Sequence, residues 1–218
     1  MKYYKKITAS LILLSSLCLN AQDITLSSGW NLIGITDKLT DGTHVKMADA
    51  INNVDDIEYI IGQNDGMFKA SYLSYDSYSS KQFEASRGYW VKLKDGVTSS
   101  AMSFEGVAVS FNPDIVSEGW TLVGFESTVL MKDKVSSLNT TNGFNIEYII
   151  GKDDGMFKAS YLSYDSYASK QFVEGKGYWL KVSSIDEVNS TIEQPPETPS
   201  LDDNETSALS TPPSVPGV

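Results

Sequence analysis

The chain has 218 residues, with 28 acidic side chains against 17 Lys and Arg, one His and one Cys. Once Lys2, Lys5 and Lys6 are set aside as part of a leader, 14 basic residues face 28 acids, because no acid precedes Asp23. Such a surface repels nucleic acid and anionic membrane, so neither is expected as a partner.

Those three lysines form a positive n-region. Ile7–Leu19 is an apolar stretch too short to span a bilayer, and Leu19-Asn20-Ala21 is a small-residue cleavage site. Residues 1–21 therefore read as a signal peptide, with Gln22 as the first residue of the mature chain, which is expected to be secreted, periplasmic or at the cell surface and to hold no transmembrane segment. Cys18 lies inside the leader and follows Leu17, where lipid attachment wants a small residue. The mature chain then has no thiol. It has no disulfide, no cysteine nucleophile and no thiolate zinc site, and packing alone holds it together.

From Gln22 onward the chain is built twice. The block Ile57–Phe83 returns as Ile146–Phe172 with three changes, Gln63/Lys152, Asn64/Asp153 and Ser79/Ala168. Such a repeat predicts tandem copies of one supersecondary unit. Each copy is bracketed by two anchors. Gly29-Trp30-Asn31-Leu32-Ile33-Gly34 goes with Gly88-Tyr89-Trp90-Val91-Lys92-Leu93, and Gly119-Trp120-Thr121-Leu122-Val123-Gly124 goes with Gly177-Tyr178-Trp179-Leu180-Lys181-Val182. The offset is 90 at the first anchor and 89 from Ile57 onward, so one residue was gained or lost between them.

Within a copy the periodicity is mostly two. Ile57–Ile61, Met67–Tyr72 and Tyr89–Leu93 alternate as strands, and Gly62-Gln63-Asn64-Asp65-Gly66 joins the first two as a hairpin. One short helix is expected over Thr43–Asn53, with Val129–Leu138 as its shorter counterpart. Val97–Phe104 reads as a closing strand and Val107–Phe111 as the opening strand of the second copy, with Val188–Ile192 as that copy's own closing strand.

The expected fold class is mainly β and antiparallel: two tandem homologous modules, residues 22–106 and 107–193, each with at most one short helix. Residues 194–218, with six prolines among Ser, Thr and acids and no aromatic or basic residue, cannot bury enough apolar surface to order and are expected to be a disordered tail. A module of this size is marginal without disulfides. The pairs Trp30/Trp90 and Trp120/Trp179 supply large buried area, and the copies can pack on each other.

Catalysis finds little footing. His44 is the sole histidine and lies in the drifted region, so a Ser-His-Asp arrangement has no repeated partner. A two-carboxylate hydrolase needs a long cleft that a duplicated small module does not suggest. No cofactor is expected. Calcium is the alternative, since Asp65-Gly66 and Asp153-Asp154-Gly155 resemble oxygen-rich loops and Asp76 or Asp165 can add ligands, but the alternating acids and closing Glu of an EF-hand are missing.

Tyrosine is the sharper signal, with five per copy between Tyr59 and Tyr89 and between Tyr148 and Tyr178. Three of each five form Tyr72-x-x-Tyr75-x-x-Tyr78 and Tyr161-x-x-Tyr164-x-x-Tyr167. A three-residue spacing alternates faces on a flat strand and aligns on a 3₁₀ or polyproline-like turn. Aligned, the rings with Ser74, Asp76 and Ser77, and with Asp165 in the second copy, form a ligand-binding strip suited to carbohydrate, an extended polymer or a surface protein. The competing reading places Tyr72 and one more ring in the core.

The paired anchors resemble the frame of a β-rich module recurrent in secreted and surface proteins of bacteria and archaea. That resemblance implies an extracellular accessory or attachment role and carries no catalytic residue. The sequence thus points to a non-enzymatic secreted or cell-surface interaction protein with two equivalent Tyr-rich patches, glycan-binding among the options. Next come a structural envelope or matrix component without a small-molecule ligand and, third, a secreted hydrolase.

Overall fold

The computed structural model describes residues 22–183. The leader, the strand expected at Val188–Ile192 and the Pro-rich tail lie outside them. The fold is mainly antiparallel β. In the first copy the strands are β1 (Gln22–Ser27), β2 (Trp30–Gly34), β3 (Asp37–Lys38), β4 (Val45–Lys46), β5 (Ile57–Gly62), β6 (Gly66–Lys69), β7 (Gln82–Phe83), β8 (Gly88–Leu93) and β9 (Ser99–Phe104). Beyond them run β10 (Val107–Ala108), β11 (Gly119–Gly124), β12 (Val129–Leu130), β13 (Asn145–Gly151), β14 (Gly155–Lys158), β15 (Gln171–Phe172) and β16 (Gly177–Ser183). Each copy of the repeat makes a four-stranded sheet of the same order, β2-β8-β5-β6 and β11-β16-β13-β14.

The first anchor strand reads as a nearly continuous apolar run because both of its faces are covered. Ile33, Tyr89, Val91 and Leu93 point into a core shared with Ile57, Ile60, Phe68, Leu73, Phe83 and Phe104. A second core repeats this arrangement around Val123, Phe125, Ile149, Phe157, Phe172 and Tyr178. The alternate residues Leu32, Trp90, Leu122 and Trp179 form a third apolar cluster, with Trp30, Ile61, Trp120 and Ile150 at its margin. The tryptophans therefore glue one sheet to the other instead of filling the core of either copy.

Glycine sets how closely the sheets approach. A Cβ on Gly34 would come within 2.7 Å of the Gly124 Cα, and one on Gly124 within 2.5 Å of the Gly34 Cα. Across this contact Gly34 N–H donates to Gly175 C=O at 3.0 Å, and Gly124 N–H donates to Ser86 C=O at 2.8 Å. Isolated bridges pair Ile33 with Lys176 and Arg87 with Val123. The offsets of 90 and 89 interchange each of these pairs, so the two sheets meet about an approximate two-fold axis, as an isologous interface does.

Three expectations are corrected. The helix expected over Thr43–Asn53 is a single turn, α1 (Met47–Ala50), while its counterpart α2 (Met131–Asn142) is the longer one. In the first copy Ile51 leaves the helix to bridge Met102 of β9, and Asn52 N–H reaches Ala101 C=O at 3.3 Å. In the second copy the helix runs on until Gly143, at φ +69°, closes it. Val107–Ala108, expected to open the second copy, pairs instead with Asp37–Lys38 of the first. The strand expected through Tyr72 stops at Lys69, where the chain turns into a 3₁₀ segment, Ala70–Ser74, with Ala70 and Leu73 buried one turn apart.

Tyr89 and Tyr178 sit among the largest fully buried side chains, and their hydroxyl oxygens accept from Glu84 N–H and Val173 N–H, each at 2.9 Å. Burial pushes both phenols up, Tyr178 to about 12. An unfolded tyrosine titrates near pH ~10, so the unfolded chain loses these protons first and stability falls as pH rises past that point. The melting temperature is expected to hold to about pH 9 and to drop between about pH 10 and 12, less steeply in Tyr178→Phe. A flat profile across that range counts against the buried phenols. Gly34→Ala and Gly124→Ala are each expected to cost about 1–3 kcal/mol in urea unfolding, because backbone and not a flexible side chain blocks the new methyl. Unchanged midpoints would refute the close glycine contact.

Candidate functional site

Each tyrosine triad is positioned by the 3₁₀ segment and the turn after it. Tyr75 N–H donates to Tyr72 C=O and Tyr78 N–H to Tyr75 C=O, both at 2.8 Å. Three residues per turn bring the rings together. Tyr72 stacks on Tyr75 with centroids 5.6 Å apart and planes 26° apart, and meets Tyr78 at 5.5 Å and 59°. Tyr161 stacks on Tyr164 at 5.7 Å and 27°, and meets Tyr167 at 5.6 Å and 57°.

Their burial differs. Tyr72, Tyr78, Tyr161 and Tyr167 are half-buried and pack on the two cores, whereas Tyr75 and Tyr164 are 57% and 59% exposed. Asp76 and Asp165 are exposed beside them. The competing core reading therefore describes two rings of each triad, and the strip narrows to one displayed ring per copy with its acid neighbour. Ser74 Oγ donates to Ser71 C=O at 2.8 Å and Ser163 Oγ to Ser160 C=O at 2.8 Å, so these hydroxyls serve the turn.

Behind each triad lies a support that the tyrosine spacing did not point to. Phe68 touches Tyr78 at 5.5 Å, and Lys81 Nζ lies 5.1 Å over the Phe68 ring while pairing with Asp65 at 2.5 Å. Phe157, Tyr167, Lys170 and Asp154 repeat the set, with contacts of 5.3, 5.1 and 2.5 Å. An ammonium held between a carboxylate and two ring faces ties the hairpin to the turn. All four residues fall inside the repeated block, and that was their only signal in the sequence.

The acids and the histidine are accounted for elsewhere. Asp65 and Asp154 are engaged by lysine, and among the described residues no cluster of three His, Cys, Asp or Glu stands ready to hold a metal ion. His44 is half-buried and its Nδ1 accepts from Ala85 N–H at 3.3 Å. Both triads adjoin the outer strands β6 and β14, whereas the sheets meet through β2, β8, β11 and β16. No known protein family, no curated protein and no solved structure matches this chain. The geometry of the site is accordingly the basis for a functional reading.

Tyr72→Ala and Tyr161→Ala remove two aromatic contacts each and are expected to destabilise by about 1–3 kcal/mol in urea unfolding, on the scale of about 0.5–1.5 kcal/mol for one aromatic pair. A cost under about 0.5 kcal/mol would mean that Tyr72 and Tyr161 do not brace the exposed rings.

Proposed function

We propose that this chain is an exported, non-enzymatic interaction protein whose two patches, centred on Tyr75 and Tyr164, hold a repetitive extracellular polymer, a neutral glycan foremost. One observation carries the reading. In both copies an exposed tyrosine ring lies nearly parallel on a second ring that is locked by a third. A ring fixed before binding loses little conformational entropy when a flat ligand face stacks on it. The phenol hydroxyl and the neighbouring carboxylate of Asp76 or Asp165 offer hydrogen bonds at its edge. The acidic excess of the chain disfavours an anionic polymer and leaves neutral ones.

Two copies of a weak site gain by avidity on a partner that repeats, and gain nothing on one that does not. The leader read at residues 1–21 and the resemblance of the anchors to extracellular modules support a role outside the cytoplasm. A structural role in an envelope or matrix is the second reading. It is favoured by the packing of Tyr72, Tyr78, Tyr161 and Tyr167 against the cores, since it needs no ligand to explain them.

The double variant Tyr75→Ser with Tyr164→Ser separates the two. Under the binding reading it abolishes retention on an insoluble neutral polysaccharide at a temperature where the variant stays folded, while the loss of one stacked pair per copy, about 0.5–1.5 kcal/mol each, lowers the melting temperature by several degrees. Each single variant is expected to lose most of the retention through lost avidity. Wild-type chain that binds no polymer, or a double variant that binds as well as wild type, would reject the reading.

A further inference from the structure

The two sheets are alike, and a single side chain breaks the likeness at their edges. Gln63 reaches across from the hairpin of the first copy to β11, where its Nε2 donates to Trp120 C=O and its Oε1 accepts from Leu122 N–H, both at 2.8 Å. One carboxamide thus satisfies the C=O of residue i and the N–H of residue i+2 on the strand edge, the pair that the N–H and C=O of one residue would meet in a further parallel strand. The same grip recurs on the chain leaving β2. Gln22 Nε2 donates to Gly34 C=O at 3.0 Å, and Gln22 Oε1 accepts from Thr36 N–H at 3.1 Å.

Between these lies the mate of the Gln63 position, the edge formed by Trp30 C=O and Leu32 N–H. Gly29 C=O accepts from Leu93 N–H toward β8, and alternation along the strand turns Trp30, Leu32 and Gly34 outward, as Gly34 N–H confirms by donating to Gly175. The repeat puts Lys152 where the first copy has Gln63. An ammonium has three donors and no acceptor, so it cannot receive the Leu32 N–H. Asn31 is already committed, its amide giving to Ser27 C=O at 2.8 Å and accepting from Ser27 N–H at 2.9 Å. A cavity of about 200 Å³ opens here, lined by Ser27, Asn31, Leu32 and Lys152 and rimmed by the Asp153–Lys176 ion pair at 2.7 Å.

We propose that this cleft is a binding site for a small primary carboxamide, whose C=O accepts from Leu32 N–H and whose syn N–H donates to Trp30 C=O at the cleft's edge, as Gln63 does for the other sheet. A primary carboxamide carries its C=O and one N–H on the same side, whereas a trans secondary amide, the acetamido group of an amino sugar included, turns them to opposite sides and reaches only one. The test follows the Leu32 and Leu122 backbone amides of the full chain by ¹⁵N NMR during titration with acetamide, N-methylacetamide and N-acetylglucosamine. The Leu32 amide is expected to shift saturably with acetamide and not with the two trans amides. Lys152→Gln fills the cleft from within and abolishes the Leu32 response, while Gln63→Lys opens the mate and makes Leu122 responsive. Both side chains already occur at the equivalent position of the same fold. No response to acetamide in the wild type, an equal response to N-methylacetamide, or a response that survives Lys152→Gln overturns the proposal. Tyr75→Ser with Tyr164→Ser leaves it untouched, so this site stands or falls apart from the tyrosine patches.

A second observation stands alone at the start of β1. Asp37 is 2% exposed, accepts from Thr36 Oγ1 at 3.0 Å and from Gln22 N–H at 3.1 Å, and among the described residues belongs to no ion pair. Burial holds its carboxyl above the usual range. We infer that cleavage between Ala21 and Gln22 sets a new α-ammonium group against the Asp37 carboxylate, so that maturation completes a buried ion pair. This rests on the leader reading, which the N-terminal mass of the exported chain checks separately. Chain released with Gln22 as its first residue is expected to melt several degrees above chain that retains Ala21, and Asp37→Asn is expected to erase that difference. Equal melting temperatures, or a difference that persists in Asp37→Asn, overturn the inference.

Discussion

The structure depends on the contact between Gly34 and Gly124. With no side chain on either strand at that point, two backbones come within van der Waals reach and exchange hydrogen bonds with the turns at Gly175 and Ser86. That closeness lets Leu32 and Trp90 meet Leu122 and Trp179 as a third apolar layer. Each copy alone is near the size limit for a stable core without disulfides. The inter-sheet layer supplies buried surface that neither copy has by itself, and aromatic side chains give the most area per residue. The anchors Gly-Trp-x-Leu-x-Gly and Gly-x-Trp thereby acquire a physical meaning: alternate residues face the other sheet, with bulk at Trp and Leu and none at the last glycine.

A two-fold arrangement of unequal copies leaves places where the symmetry fails. Gln63 and Lys152 occupy equivalent positions on opposite sides of the axis, yet one closes a strand edge and the other leaves a cavity beside it. Asn64 and Asp153 differ in the same way, since Asp153 pairs with Lys176. The tyrosine triads, away from the axis, agree to within 0.1 Å in ring spacing because nothing from the other sheet perturbs them. Ring, lysine and carboxylate form one self-contained unit in each copy.

Much of the fold was legible before any coordinate. The alternation of Ile57–Ile61 and Tyr89–Leu93, the Asn-Asp-Gly hairpin and the antiparallel class follow from period two and turn chemistry. Less legible were the points where a local pattern meets a distant competitor. The α1 segment has helical spacing but Ile51 is drawn into pairing with Met102, a strand 51 residues away. Val107–Ala108 alternates as a strand, and alternation says nothing of which strand it pairs with. The tyrosine spacing suggested that the rings converge. It did not say which ring is displayed, because that is set by where the core surface lies, and the support from Phe68, Lys81 and Asp65 joins residues on a strand, a hairpin and a loop.

By itself the sequence determined the duplication, the antiparallel β class, the turn at each hairpin and the three-residue spacing of the rings. These rest on local rules: which residues tolerate positive φ, which side chains alternate, and how many residues make a turn. Tertiary structure alone decided that the tryptophans lie between the sheets, that Tyr75 and Tyr164 stand out while their neighbours sink into the cores, and that one edge cleft is closed and its mate open. Each of these depends on a distance between chain segments far apart in sequence, and so on how two similar surfaces meet.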